Sequence, residues 1–325
     1  MSHSPVDLLS VFQQAIASTL KEMTDLEILE IASWDPKVAL ASSIEVAGII
    51  GLNLPGTKGA LSLQFSKEIL SRMASRIGTQ NANQFAEDLT CAVLRSAEAQ
   101  FQSLGQSVQC SLPNLLSGDS LEALGNRQSK NWVGAEISVK EGRFWVLLET
   151  DPQESEAPVL GREYGSPKNW TAEALLEFVR AVRKTLEVQF STRIEIGAPF
   201  KKTEDAFTFD VGSMIGVTDG NFSGYFGMYY QKSTFLGLMN ILLGANFTEL
   251  SEDIQDGASE ITNICFGVAK QVLNDQGHSI QMALPYLIRG TGITSAGSSA
   301  QRTAIAVPLS TPYGSFWIEF GYRGT

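Results

Sequence analysis

The sequence predicts an α/β or α+β layer sandwich that occurs twice in the chain. Each half shows the order helix, strands, helix, long helix, strand and hairpin. The closing hairpin of the second half surrounds Gly314, and a similar segment surrounds Gly142 in the first half. The regular strand and helix alternation of a parallel Rossmann sheet is absent. We therefore expect a mainly antiparallel sheet that carries one long exposed helix in each half.

The two halves share residues at four sets of positions in the same order. The first set lies in a predicted helix, where the second half repeats Phe12, Ala15, Ile16, Thr19 and Leu20 as Phe178, Ala181, Val182, Thr185 and Leu186. The second set consists of two glycines, Gly51 and Gly59, which correspond to Gly216 and Gly224. The third set pairs Gly105, Pro113 and Gly118 with Gly277, Pro285 and Gly290, and the fourth pairs Gly142, Phe144 and Trp145 with Gly314, Phe316 and Trp317. This spacing is too long for a solenoid repeat, so it indicates a tandem duplication of a whole domain.

The segment between the two copies has the composition of an exposed linker. Residues 151–168 contain three prolines, two glycines and several charged side chains. We predict a first domain over residues 1–150, a linker over 151–168 and a second domain over 169–325.

The composition favours a cytoplasmic protein with a protein partner. A chain of 325 residues with 43% apolar side chains can bury the cores of two ordinary domains. Its formal charge of −11 opposes binding to nucleic-acid phosphates and to anionic lipid surfaces. The sequence shows no apolar run long enough to span a bilayer. Residues Met1 to Asp7 carry no basic region that leads into an apolar one, so we expect no signal peptide. We therefore expect no nucleic-acid partner and no membrane partner.

Cysteines and histidines are few. Cys91, Cys110 and Cys265 lie far apart and are odd in number, which is typical of buried reduced thiols. His3 and His278 are the two histidines. We therefore expect no metal site in this chain.

The segment Asp256 to Lys270 has the periodicity of a helix with a polar row. At about 100° per residue, its polar and small residues fall within roughly 60° of one another. This row consists of Asp256, Glu260, Asn263 and Gly267. We expect a separate apolar stripe, Ile261, Ile264, Cys265, Val268 and Val272, to face the core. The polar row would then face solvent, and Gly267 would let another surface approach closely.

Two residues of this row have complementary chemistry. The Glu260 carboxylate can pair with a cation, and the Asn263 amide can hold a water molecule in a fixed orientation. On this segment alone, carboxylates on a solvated helix face are the simpler interpretation.

The spacing Asp-x3-Glu-x2-Asn, followed by Pro285, resembles the signature of the CheC, CheX and FliY phosphatases and is most like CheX. The resemblance implies that the helix enters the active site of a phosphorylated CheY-like receiver domain. Asn263 would position water in line with the aspartyl phosphate, and Glu260 would pair with the receiver's lysine. Asp256, Gly267 and Pro285 would support the site or bind the partner. The receiver would supply Mg²⁺, so this chain would need no cofactor.

The first copy has lost the row. Gln84, Asp88, Cys91 and Arg95 stand opposite Asp256, Glu260, Asn263 and Gly267. A thiol cannot orient water as an amide does, and an arginine fills the space that a glycine leaves open. Because CheX-like domains form homodimers, we predict a covalent pseudo-dimer with one working site. A higher oligomer remains an alternative.

The segment Gly51 to Gly59, with Gly56, Thr57 and Lys58, faintly resembles a phosphate-binding loop, but its residue order differs. A hairpin turn explains it better.

Two functions remain open. The first is dephosphorylation of a phosphoaspartyl response regulator in chemotaxis or two-component signalling. The alternative is a non-catalytic CheX-like module or scaffold that binds receiver or flagellar-switch proteins.

Overall fold

A computed structural model describes residues 5–35, 44–106, 108–124, 131–152, 172–203, 206–219, 222–299 and 302–323. The helices of this described part are α1 Pro5–Thr24, α2 Lys67–Arg76, α3 Ala82–Ser103, α4 Ala172–Gln189, α5 Lys232–Leu243, α6 Glu252–Gln255 and α7 Gly257–Asp275. Its strands are β1 Glu30–Trp34, β2 Val46–Leu54, β3 Thr57–Phe65, β4 Gln109–Cys110, β5 Asn114–Ser117, β6 Ser120–Leu124, β7 Trp132–Val139, β8 Gly142–Pro152, β9 Glu195–Ile196, β10 Phe200–Lys201, β11 Phe209–Asp219, β12 Phe222–Tyr230, β13 Gln281–Ser295, β14 Arg302–Thr311 and β15 Gly314–Arg323.

Local sequence explains where several of these elements turn or end. Gly56 adopts φ 74° at the tip of the β2–β3 hairpin, and Gly314 adopts φ 127° in the turn between β14 and β15. Gly244 ends α5 in the left-handed conformation with φ 61°. The hairpin predicted for the segment Gly51 to Gly59 is therefore confirmed.

The strand order shows the duplication directly. Along the sheet the order is β1-β7-β8-β3-β2-β5-β13-β11-β12-β15-β14-β10, and the described strand pairs are antiparallel. Outward from the centre, β2, β3, β8 and β7 on one side correspond to β11, β12, β15 and β14 on the other. The predicted layer sandwich with a mainly antiparallel sheet, present twice, is confirmed.

Equivalent segments of the two halves pair with each other at the centre of the sheet. β13 continues its antiparallel ladder onto β6, from Thr291↔Ser120 to Leu287↔Leu124, and onto β5 at Thr294↔Ser117. A Cβ atom on Gly290 would lie 1.9 Å from the carbonyl oxygen of Ser120, so the close approach of β13 to β6 requires a glycine at this position. The pairing creates a pseudo-twofold axis between the halves.

Three hydrophobic cores hold the layers together. One core joins α1, α2 and α3 to one face of the first half's strands, and a second joins α4, α5 and α7 to the corresponding face of the second half. The third core lies on the opposite strand faces and combines side chains of both halves, such as Ile49 and Met214. The sheets therefore pack back to back, with the helices on the outside.

Contacts across this back-to-back interface repeat the pseudosymmetry. A Cβ atom on Gly51 would lie 2.9 Å from the Cα atom of Gly216, its counterpart in the second half. The Asn114 amide donates to the Tyr229 hydroxyl at 3.2 Å, and the Gln64 amide donates to the Tyr286 hydroxyl at 3.5 Å. The two backbones approach closely because both halves present glycine at this point.

The predicted domain boundaries stay a prediction. β8 continues through Pro152, which is two residues into the predicted linker, and residues 153–168 lie outside the described residues. Within the described ranges, no helix combines the length and apolar character that a membrane span requires.

Replacement of Gly51 by alanine should weaken the interface between the halves. The new methyl group would lie under 3.0 Å from both Gly216 Cα and Ala283 Cβ, so the sheets must shift. Overpacking of this kind costs about 1–3 kcal/mol, which corresponds to a fall of about 2–5 °C in the thermal unfolding midpoint.

Gly267→Ala is the matched control, because a Cβ atom there meets nothing within 4 Å. Its midpoint should stay the same or rise, since alanine favours the helix. An unfolding midpoint for Gly51→Ala equal to that of the unmodified chain would contradict the close packing of the halves.

Candidate functional site

Helix α7 carries the predicted row on the outside of the second half. Phe266 anchors the helix, and its ring centre lies 5.3 Å from that of Phe178 on α4. The buried side chains of α7 are Ala258, Ser259, Ile261, Thr262, Cys265, Phe266, Ala269 and Leu273. Glu260 lies in the first turn, where a carboxylate stabilises the positive end of the helix dipole.

The buried face of α7 differs from the predicted stripe. Ile261 and Cys265 are buried as expected, but Val268 is 43% exposed, and Ile264 and Val272 are half-buried. Phe266, which the predicted stripe omits, is fully buried with its ring centre 5.3 Å from that of Phe178 and 5.6 Å from that of Phe226. Small buried residues such as Ala258 and Ala269 allow close packing on the same side, so the helix is rotated relative to the prediction. The centre of the buried face therefore lies about 150° from the polar row, and the row points more directly away from the core.

The row is accessible from solvent. Glu260 is exposed, whereas Asp256, Asn263 and Gly267 are half-buried. Within the described part of the chain, the side chains of Glu260 and Asn263 make no hydrogen bond or ion pair. Gly267 has open space where a side chain would stand. A carboxylate and an amide one helical turn apart are thus available to an incoming partner.

The row lines a groove that also contains Pro285. The groove has a volume of about 570 Å³, and Asp256, Glu260, Asn263 and Pro285 lie along it. Pro285 reaches the groove from β13, where it pairs with Ile215 of β11. Of the predicted site residues in the second half, Gly267 lies beyond the lining of the groove, one turn further along α7.

Sequence reasoning missed two groove residues that come from the first half. Lys58 on β3 and Asp151 on β8 line the same groove as Glu260 and Asn263. No local pattern connects either residue with the α7 row, because they reach the groove through the packing of one half on the other. The faint likeness of the segment around Lys58 to a phosphate-binding loop gave no link to that row.

The corresponding surface of the first half is occupied by its own contacts. The Gln84 amide donates to the Asp88 carboxylate at 3.0 Å, whereas their counterparts Asp256 and Glu260 are both acidic. Glu87 on the same helix forms an ion pair of 3.2 Å with the buried Arg302 of β14. Arg95 is exposed at the position of Gly267. This arrangement has neither the open position nor the free amide of the second half.

Cys110 and Cys265 are buried in the structure, and Cys91 is half-buried. Burial raises the pKa of Cys265 to about 12 and raises the pKa of Cys110 well above its ordinary value. The pKa of Cys91 is also raised, first by burial and then by the nearby Glu87. All three cysteines are unpaired with one another. A thiol that stays protonated near neutral pH is a poor nucleophile.

Potential metal ligands do not gather in the described residues, where no group of three or more His, Cys, Asp or Glu side chains could hold an ion.

The comparison with protein families identifies a match in the second half. Residues 211–310 match the family model described as chemotaxis phosphatase CheX. The motif residues from Asp256 to Pro285 fall inside this range. The resemblance to this family that the motif indicates is therefore confirmed for the second half.

Solved structures similar to this chain include proteins of the same group. A CheC-like superfamily protein from Shewanella sp. PV-4 is 26% identical with a TM-score of 0.45, and the match covers 48% of this chain and 100% of that one. CheX from Vibrio vulnificus is 26% identical with a TM-score of 0.44, and the match covers 46% and 99%. A CheX–CheY–BeF3–Mg complex from Borrelia burgdorferi is 20% identical with a TM-score of 0.37, and the match covers 46% and 96%. No curated protein matches the chain significantly.

Thiol labelling should leave the native core untouched. With a pKa of about 12, Cys265 carries roughly a thousandfold less thiolate at pH 8 than an ordinary cysteine. Iodoacetamide at pH 8 should therefore leave Cys265 and Cys110 unmodified in the native chain, and all three cysteines should react in concentrated urea. Peptide mass spectrometry measures this directly. Rapid alkylation of Cys265 without denaturant would contradict its burial on the inner face of α7.

Proposed function

We propose that this chain removes phosphate from the phosphoaspartate of a CheY-like response regulator. The observation that carries the proposal is the pair Glu260 and Asn263 on the outer face of α7. The two residues lie one turn apart, their side chains make no hydrogen bond or ion pair among the described residues, and they border a groove with Pro285. The match of residues 211–310 to the chemotaxis phosphatase CheX supports the same chemistry.

In the proposed reaction, α7 enters the receiver's active site and Asn263 holds the attacking water. The amide can both accept a hydrogen bond from water and donate one to an anionic oxygen. The water oxygen attacks phosphorus as the bond to the aspartyl oxygen breaks. The receiver's aspartate leaves as a carboxylate, and the water's protons end on the inorganic phosphate product or in solvent.

Glu260 has a different role in this proposal. Its carboxylate pairs with the lysine of the receiver's active site and so fixes the position of α7 relative to the phosphoryl group. Such a pair contributes mainly to orientation, because a half-solvated ion pair adds little affinity of its own. Correct placement of the water is the larger effect, since phosphoryl transfer depends on positioning and on charge stabilisation.

The receiver provides the remaining chemistry. Its Mg²⁺ would stabilise the charge on the transferred phosphoryl group, so that Glu260 and Asn263 of this chain need to contribute orientation only. A cytoplasmic location, a single chain as the working unit and a catalytically silent first half belong to the same proposal.

Replacement of Asn263 by alanine should abolish most of the activity. Loss of a positioned polar group in such a site lowers the rate by about 10²–10³-fold. The measurement is phosphate release from a CheY-like receiver phosphorylated by a small-molecule phosphodonor, with the intrinsic rate of the receiver subtracted. Glu260→Gln should reduce the rate less, because glutamine keeps the shape and loses only the charge.

Cys91→Ala is the matched control, since Cys91 is the counterpart of Asn263 in the first half. It should leave phosphate release unchanged. Unaltered hydrolysis by Asn263→Ala would refute the mechanism. Tight binding of the receiver by the unmodified chain, without any hydrolysis, would instead favour the non-catalytic module.

A further inference from the structure

The groove beside α7 is built from both halves of the chain. Lys58 and Asp151 of the first half line it together with Glu260 and Asn263 of the second. Lys58 and Asp151 are directly opposite each other in the ladder between β3 and β8. Lys58 is half-buried and Asp151 is exposed. The half without the motif therefore forms one wall of the motif's groove.

The alternation of side chains along β3 explains why Lys58 faces this way. Leu61 points into the helix-covered core of the first half, whereas Ala60 belongs to the core between the halves. Lys58 is two residues from Ala60 and thus shares its face. Its side chain extends toward the second half at the edge of the interface.

The base of Lys58 is held firmly relative to the groove. Gly51 of the same hairpin lies against Ala283 and Gly216 of the second half. The Asn53 amide donates to the Thr218 hydroxyl at 3.4 Å, and Asn53 is the cross-strand neighbour of Lys58. The lysine therefore starts from a fixed backbone position, and its flexible stem allows the ammonium group to adjust to a ligand.

Lys58 carries a charge opposite to that of the other charged side chains that line the groove. Among the described residues that line the groove, Lys58 is the one cation, beside the carboxylates Asp151, Asp256 and Glu260. A phosphoryl group that enters this acidic groove meets repulsion, which is strongest where water is excluded. A lysine on the opposite wall offsets that repulsion.

We propose that Lys58 binds the phosphoryl oxygens of the phosphorylated receiver seated in this groove. The inference rests on the proposed function and assigns the first half a part in recognition of the phosphorylated state. If the first half had a purely structural role, any contact between it and the receiver would be independent of phosphorylation.

The test compares full-length variants for binding to a CheY-like receiver with and without beryllofluoride and Mg²⁺, by isothermal titration calorimetry. Lys58→Met keeps most of the apolar stem and removes the charge. It should weaken binding of the beryllofluoride-loaded receiver about five- to tenfold, as expected for loss of a charged hydrogen bond in a partly solvated site. Binding of the unloaded receiver should change less than about twofold.

Lys140→Met is the control with the same change of charge. Lys140 is exposed and precedes Gly142, so it lies at the opposite end of β8 from Asp151. This variant should bind both receiver forms like the unmodified chain.

The outcomes separate this inference from the proposed function. Equal binding by Lys58→Met and the unmodified chain, or an equal loss for both receiver forms, would overturn the role of Lys58 and leave the Asn263 mechanism standing. Failure of the unmodified chain to bind the loaded receiver and to release phosphate would refute the proposed function and this inference with it.

Discussion

The antiparallel pairing of β13 with β5 and β6 is the constraint on which the rest of the structure depends. It joins equivalent segments of the two halves at a pseudo-twofold axis and turns both sheets back to back. Once the backs of the sheets are buried, every helix layer lies on the outside of the molecule. The same packing brings the β2–β3 hairpin of the first half to the edge of α7, so one interface determines both the fold and the composition of the groove.

The duplicated helices α3 and α7 show how a fold persists while a site is lost. Both helices bury one face against their own sheet, and this burial supplies most of the stabilisation. The polar row on the outer face contributes little to folding, so substitutions there cost little stability. Gln84 and Asp88 have thus become partners of each other, whereas Glu260 and Asn263 remain open.

Much of the fold follows from the sequence because glycines and prolines mark the turns of both copies. Local sequence patterns alone predict the turns at Gly56 and Gly314 and the polar row on α7. The rotation of α7 could not be predicted from local geometry. Phe266 and the neighbouring alanines determine which face of the helix packs against the core, whereas the β-branched residues of the helix indicated a different face. Lys58 could not be assigned to the groove, since its place depends on contacts between residues far apart in sequence.

A structure of the full chain bound to a beryllofluoride-loaded receiver tests most directly whether α7 is the element that enters the partner's site. We expect the receiver on the outer face of α7, with the Asn263 amide within hydrogen-bond distance of the beryllofluoride or of a water in line with it. A receiver docked on α3, or on any surface that leaves the Glu260 and Asn263 side chains in solvent, would contradict the proposed role of this helix.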